Sequence, residues 1–159
     1  FATGSVGVID TGGKTTNLLS VNRLAEINRE TASVKIGGWD AVRSVRDWLT
    51  SECPGLEDLR DHQTVEAIIN RQIRYYGEPV DLSDVVAATL APLAEQIIAE
   101  ASRLWNGGAT LDAIVVSGGG ALLLGDLIQA HFRHAVICDN PTIANALGFW
   151  RFAQRINKN

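Results

Sequence analysis

Two glycine clusters, each placed where a buried strand should end, constrain this chain more than any other feature. The first is Asp10-Thr11-Gly12-Gly13-Lys14-Thr15-Thr16, directly after the apolar run Val6 to Ile9. The second is Ser117-Gly118-Gly119-Gly120-Ala121, directly after Ile114-Val115-Val116. A turn without side chains at a strand end lets backbone N–H groups close on an anion, a common way of holding nucleotide phosphates. Each cluster alone also has an ordinary explanation. The first could be a plain Gly-Gly hairpin, and the second a helix packed closely on a strand. Two such turns, differently built and far apart in the chain, form a pair that points to a phosphate site.

The pattern around the clusters predicts a layered α/β fold. Residues 5–10 form a nearly continuous apolar run, as in a central strand. Residues 15–21 read as a second strand joined to it by the Gly12-Gly13 turn, and 23–28 and 30–36 as one or two more. After Gly37-Gly38 breaks the pattern, Ala41, Val42, Val45, Trp48 and Leu49 recur at helical spacing, which predicts a helix over 39–50 ended by Pro54-Gly55. Residues 64–70 read as a short helix and 72–82 as a strand pair or loop. A long helix follows, opened by Asp81 or Ser83 and striped by Leu82, Val85, Val86, Leu90, Leu93, Ile97, Ala101 and Leu104. Pro92 should kink or split it near Ala91, and Asn106-Gly107-Gly108 should end it. A strand at 111–116, a helix at 121–132, a strand at 135–138 and a helix from Asn140-Pro141 with the seam Ile143, Leu147, Trp150 complete the order. Meander strands first and alternating elements after imply a mixed sheet with flanking helices.

The turns are selective about what they match. Gly-Gly-Lys-Thr-Thr invites a P-loop reading, but that motif needs a glycine six residues before the lysine, where Val8 stands, and a helix after it, where a strand is expected. The second cluster has Leu123 where a dinucleotide fingerprint needs its third glycine. The remaining reading is a hairpin whose tip faces phosphate. Gly12 and Gly13 offer N–H groups, Lys14 lies at the tip, and Thr15 and Thr16 add hydroxyls. Asp10 at the strand end holds Mg²⁺ through water or orients an attacking water. At the second turn, phosphate or ribose sits where Ala121 opens a helix, favoured by its dipole.

Composition narrows the partners. The formal net charge is −4 with no basic run, which argues against direct binding to nucleic acid. Cys53 and Cys138 share no motif spacing and read as small packing thiols, which fits a reducing cytoplasm. No apolar stretch reads as a membrane span, and no signal peptide is visible. His62, His131 and His134 lack metal-ligand spacing, and Trp39, Trp48, Trp105 and Trp150 read as core or lobe-interface anchors. With no methionine and Phe1-Ala2-Thr3-Gly4 at its start, the chain reads as a part of a longer protein.

Taken together, these features resemble the second half of the actin/Hsp70/sugar-kinase ATPase fold. In that family the hairpin is the second phosphate motif, Asp-x-Gly-Gly-x-Thr-x-Asp, which stands here as Asp10-Thr11-Gly12-Gly13-Lys14-Thr15-Thr16-Asn17, with Asn17 in place of the last acid. Ser117-Gly118-Gly119-Gly120-Ala121 resembles the adenosine motif. The stretches Val136-Ile137-Cys138-Asp139-Asn140-Pro141 and Ala144-Asn145-Ala146-Leu147-Gly148-Phe149 look most like the bacterial plasmid-segregation actins of the ParM/StbA kind. The resemblance implies a ribonuclease-H-like subdomain at 1–52 and 111–159, with 53–110 as a smaller, mostly helical insertion. It implies ATP or ADP with Mg²⁺ as ligands, and places Glu66 and Ile69 near the adenine, although a solvated or packing role is the plainer reading of both. It also implies self-association into filaments and an adaptor protein linking them to DNA, with no membrane partner. ATP in this fold sits between two halves, so one half alone should bind weakly and hydrolyse little. A non-catalytic interaction module, or half of a small-molecule kinase of the same superfamily, are the rival readings.

Overall fold

Strand β1 (Ser5–Thr11) lies at the centre of the sheet in the computed structural model, which describes residues 3–156. It turns through Gly12 and Gly13 into antiparallel β2 (Thr16–Asn22), which pairs in turn with β3 (Ala25–Glu26) and β4 (Ala32–Val34). The chain then leaves the sheet through α1 (Gly38–Glu52), α2 (Asp61–Asn70), the hairpin β5 (Gln72–Tyr75) and β6 (Glu78–Asp81), and α3 (Ser83–Leu104). It returns as β7 (Ala113–Ser117), parallel to β1, then α4 (Ala121–His131) and β8 (Ala135–Ile137), parallel to β7. A 3-10 turn at Pro141–Ile143 leads into α5 (Ala144–Ile156). The main sheet runs β3-β2-β1-β7-β8 and is mixed, with helices flanking it, as the pattern implied.

Alternation along the strands decides which face is covered. Ile9, Leu18, Ile114 and Val116 are fully buried, in one cluster with Val45 and Leu49 of α1, Ile97 of α3 and Leu124 of α4. Gly7 is needed on this face because the Trp105 ring and the Leu111 side chain fill the space a Cβ would take. The same cluster continues through Ala67 and Ile68 of α2 to Leu82, Val86 and Leu90. Residues 53–110 therefore share the core of the sheet, α3 packing on both α1 and α4.

Four local expectations change. Helix α3 is not split at Pro92. Val86 and Leu90 before it, and Ala94, Ile97 and Ala101 after it, are held in one core, which outweighs the ~3 kcal/mol a helix-interior proline costs. Its cap position is Leu82, while the Asp81 carboxylate accepts from the Ser83 N–H at 2.8 Å from one residue further out. Its 22 residues are long and apolar enough to cross a membrane, contrary to the expectation of no such stretch, but its stripe is spent on the core. The fourth change is at the C-terminal end. Ile143, Leu147 and Trp150 face no core, being 50%, 38% and 58% exposed, because nothing among the described residues packs over α5. Trp105 is an anchor as expected, its Nε1–H donating to the Glu30 carbonyl at 3.3 Å, whereas Trp39 is partly exposed. Phe1 and Ala2 lie outside the described residues.

Ile97→Ala tests the shared core. Ile97 is 0% exposed, so its truncation should lower stability by about 2–5 kcal/mol, read as a lower urea midpoint in one cooperative transition. Two separate transitions would mean that α3 and the sheet do not form one unit.

Candidate functional site

Parallel pairing of β1 with β7 sets Asp10 directly beside Ser117, so both glycine turns leave the same edge of the sheet side by side. They interlock there. The Gly120 N–H donates to the Thr11 carbonyl at 2.8 Å. Gly118 has φ +85°, and a Cβ on it would overlap that same carbonyl, so only glycine fits. A third segment joins them. At the start of α1 the Gly38 N–H donates to the Gly12 carbonyl at 2.9 Å, and the Trp39 N–H to the Gly13 carbonyl at 2.8 Å. A Cβ on Gly37 would run into the Gly13 backbone, and one on Gly13 into the Trp39 indole.

Donor accounting identifies what these turns leave free. The Gly12 N–H closes the first turn on the Thr15 carbonyl at 2.8 Å, so it is not available to a ligand as the sequence suggested. The Gly118 N–H is spent on the Pro141 carbonyl at 2.9 Å. The N–H groups of Gly13 and Gly119 have no partner among the described residues. Both glycines line one cavity of about 300 Å³. Apart from Thr142, its side-chain walls are apolar: the Trp39 indole, Val42 of α1, Val65 of α2, and Leu122 and Leu123 of α4. A site with free N–H groups at one end and a hydrophobic slot at the other suits a ligand that joins an anion to a flat, weakly polar ring.

Asp10 stands beside the cradle with both oxygens engaged. The Ser117 hydroxyl donates to Oδ1 at 3.3 Å, and Asn145 Nδ2–H in the first turn of α5 donates to Oδ2 at 2.9 Å. Nearby, burial pushes the Cys138 thiol above its ordinary pKa, and the negative charges of Asp139 and Asp10 add to the shift. The Thr11 hydroxyl is buried without a partner beneath the turns. Among the described residues no group of three His, Cys, Asp or Glu could hold a metal ion directly.

The other expected residues divide. Lys14 and Thr15 are exposed at the hairpin tip, and Lys14 shares a neighbouring hollow with Trp39, Arg43 and Arg46. Thr16 is buried and its hydroxyl donates to the Ile36 carbonyl at 2.8 Å, so it braces the hairpin and does not point at the cavity. Glu66 is exposed on α2 and does not line the cavity; the helix turns Val65 toward it. Asn17 accepts from the Ser33 hydroxyl of β4 at 3.0 Å, a cross-strand bond on β2. Ala121 opens α4 and is buried. Sequence reasoning missed Gly37, Gly38, Trp39 and Asn145 as site residues. Gly37-Gly38 carried the same signal as the other clusters, a glycine pair where strands give way to a helix.

Two predictions follow from this geometry. Gly118→Ala should destabilise the protein through strain and overlap, whereas a Cβ at Gly119 meets nothing within 4 Å, so Gly119→Ala should leave the melting temperature nearly unchanged. Thermal melts of both variants decide this. For Cys138, a raised pKa means less thiolate near neutral pH, hence slow alkylation that accelerates only as pH climbs above the ordinary thiol range. Asp10→Ala removes one of the charges that raise it, so alkylation at fixed pH should become faster, with buried Cys53 as the internal control.

Comparison with known proteins agrees with this fold. Residues 8–130 match the family model described as the C-terminal domain of the archaeal actin homologue MreB-like proteins. No curated protein matches the chain in sequence. Among solved structures, an archaeal actin homologue superposes with TM-score 0.81 at 23% identity, over 96% of this chain and 48% of that one. The same homologue in complex with ADP gives 0.78 at 24%, over 96% and 50%. ParM in a 15-stranded filament from Clostridium botulinum gives 0.79 at 22%, over 96% and 46%. These likenesses establish the fold, and the chain spans about half the length of the structures it matches.

Proposed function

This chain belongs to the family of archaeal MreB-like actin homologues, matching their C-terminal domain, and from that premise we propose that it is the nucleotide-binding half of a filament-forming actin-like ATPase. One observation carries the reading: the unpartnered N–H groups of Gly13 and Gly119, from turns far apart in sequence, line a single cavity with an apolar far wall. In this reading the phosphates lie against those N–H groups, with Lys14 and Thr15 at the hairpin tip adding a charge and a hydroxyl. The base lies in the slot between Trp39, Val42, Val65 and Leu122. The N-terminal end of α4 at Ala121 adds its dipole to the cradle.

Asp10 is the group for the chemistry. Held by Ser117 and Asn145, its carboxylate is oriented to position a water near the terminal phosphate. Mg²⁺ entering with the nucleotide would be held through water by Asp10 and would neutralise phosphate charge. No direct carboxylate cage is needed for this, in keeping with the sparse acidic groups around the cradle. A family relative of the same fold has been solved with ADP and another as a filament. By extension, the whole protein assembles with nucleotide, and segregation of plasmid DNA through an adaptor is the finer role we assign. In this scheme residues 53–110, with α2 and the β5–β6 hairpin at their periphery, act as the smaller lobe beside the base. Because the resemblance places the nucleotide between two halves, this half alone should bind weakly and turn over little.

Calorimetric titration of Mg-ADP and Mg-ATP into this chain tests the proposal. High-micromolar to millimolar binding is expected, lost in Gly119→Val, which adds bulk to a residue that lines the cavity and has open space at its Cβ, and weakened in Asp10→Ala. Unchanged affinity in Gly119→Val would place the nucleotide elsewhere and defeat the assignment.

A further inference from the structure

A second hollow, of about 280 Å³, lies beside the base slot. Lys14, Arg43 and Arg46 line it, together with Trp39 and Val42. Three cations on one small concavity stand out in a chain whose formal net charge is −4. No carboxylate lines it among the described residues. The partners of these cations leave charge to spare. Lys14 makes no ion pair among the described residues, and exposed Arg43 reaches Asp40 only at 3.9 Å. Arg46 is the one that is neutralised in place. Its Nη2 donates to the Asp61 carboxylate and, at 3.5 Å, to the Thr64 hydroxyl, which anchors it between α1 and α2.

This hollow adjoins the site. Trp39 and Val42 line both it and the cavity that contains Gly13 and Gly119. Lys14 follows Gly13 directly, and the Trp39 indole lies against Gly13, in the space a Cβ there would take. One pair of side chains is thus the partition between an apolar slot and a cationic hollow. Guanidinium and ammonium groups are the donors that hold a phosphoryl group, the first through paired bonds and the second as a point charge. Low-dielectric walls strengthen the field of such charges. A ligand with its base in the slot and its 5′-phosphates at the Gly13 and Gly119 N–H groups has its ribose between those two ends. A substituent on a ribose hydroxyl is then the part of it free to cross the partition.

We propose that the hollow of Lys14, Arg43 and Arg46 is a second phosphate subsite, which takes the phosphoryl group of a nucleotide phosphorylated on a ribose hydroxyl as well as at its 5′ end. The proposal rests on the reading of the neighbouring cavity as a nucleotide site. The shared walls select a linked phosphate over a free one. A free phosphate would need only the cations, whereas the hollow and the base slot are built on the same Trp39 and Val42. Lys14 stands at both phosphate groups, so Arg43 is the residue that tells them apart. Such a nucleotide fills the slot and cradle that ATP would use, and its binding excludes ATP. The subsite is in this way an inhibitory input to the same site.

Chemical-shift titration of the isotopically labelled chain tests this with three ligands that share a base and a 5′-phosphate: AMP, adenosine 2′,5′-bisphosphate and adenosine 3′,5′-bisphosphate. At least one bisphosphate should bind about tenfold or more tighter than AMP. It should shift the Trp39 indole N–H and the Arg43 side chain along with the amides of Gly13 and Gly119. Arg43→Gln should remove that advantage while leaving AMP binding and the melt unchanged, because its ion pair with Asp40 is long and solvated. Arg43→Lys should restore most of the advantage. Equal affinity for all three ligands, with Gly13 and Gly119 shifted by each, would overturn the subsite and leave the nucleotide reading standing. Inorganic phosphate that shifts Lys14 and Arg43 as tightly as the bisphosphates do would overturn the link to the base and make the hollow a site for free phosphate. If no nucleotide shifts Gly13 or Gly119, the reading of the cavity falls and the proposal falls with it.

Discussion

The register between β1 and β7 is the constraint on which the rest depends. It sets Asp10 against Ser117, residues separated by 107 positions, and so brings both glycine turns to one edge. A slip of a single residue would turn every side chain of β1 to the opposite face. Ile9 would leave the core, and Asp10 would leave Ser117. The burial of Ile9, Ile114 and Val116 at 0% exposure therefore fixes the site as firmly as it fixes the sheet. Core and cradle are specified by the same residues, read from opposite sides of the pleat.

What the sequence made legible follows from how local each signal is. Strands β1, β2 and β7 and helices α1, α3 and α4 were readable because each rests on its own periodicity, and the two main glycine turns because each sits at a strand end. Gly37-Gly38-Trp39 reads locally as a break; its role appears only when its N–H groups are seen on the carbonyls of Gly12 and Gly13. Asn145 is further still from Asp10 in the chain, and no local pattern couples an amide in one helix to a carboxylate on a distant strand. Glu66, expected near the adenine, lies on the exposed face of α2, while its neighbour Val65 lines the cavity. One residue is 100° of rotation, enough to exchange a solvated carboxylate for a cavity wall. Thr16 errs in the other direction: strand alternation carries it inward to Ile36 while its neighbour Thr15 stays at the tip.

The seam on α5 was legible as a pattern and misread as to its destination. Amphipathic spacing says that a face is to be buried; it does not say against what. The usual inference that the partner lies within the same core holds for α1, whose Ala41, Val42, Val45 and Leu49 are all buried. It fails for α5, where equivalent spacing meets no packing partner among the described residues.

This bears on the proposed site because α5, none of whose residues is buried, supplies one donor to the Asp10 carboxylate. A hydrogen bond to a charged group contributes about 1.5–3 kcal/mol only while its donor is held in place, and the donor to Asp10 Oδ2 is in the first turn of α5. If that turn frays, the carboxylate keeps the Ser117 hydroxyl at 3.3 Å as its remaining side-chain partner and loses its fixed direction. Positioning a water for attack depends on such direction, since small misplacements of a reacting group are costly in rate. The cradle, by contrast, is built from backbone N–H groups interlocked by three chain segments. On the proposed reading, a preformed cradle receives the ligand, while Asp10 depends for its direction on one amide of α5.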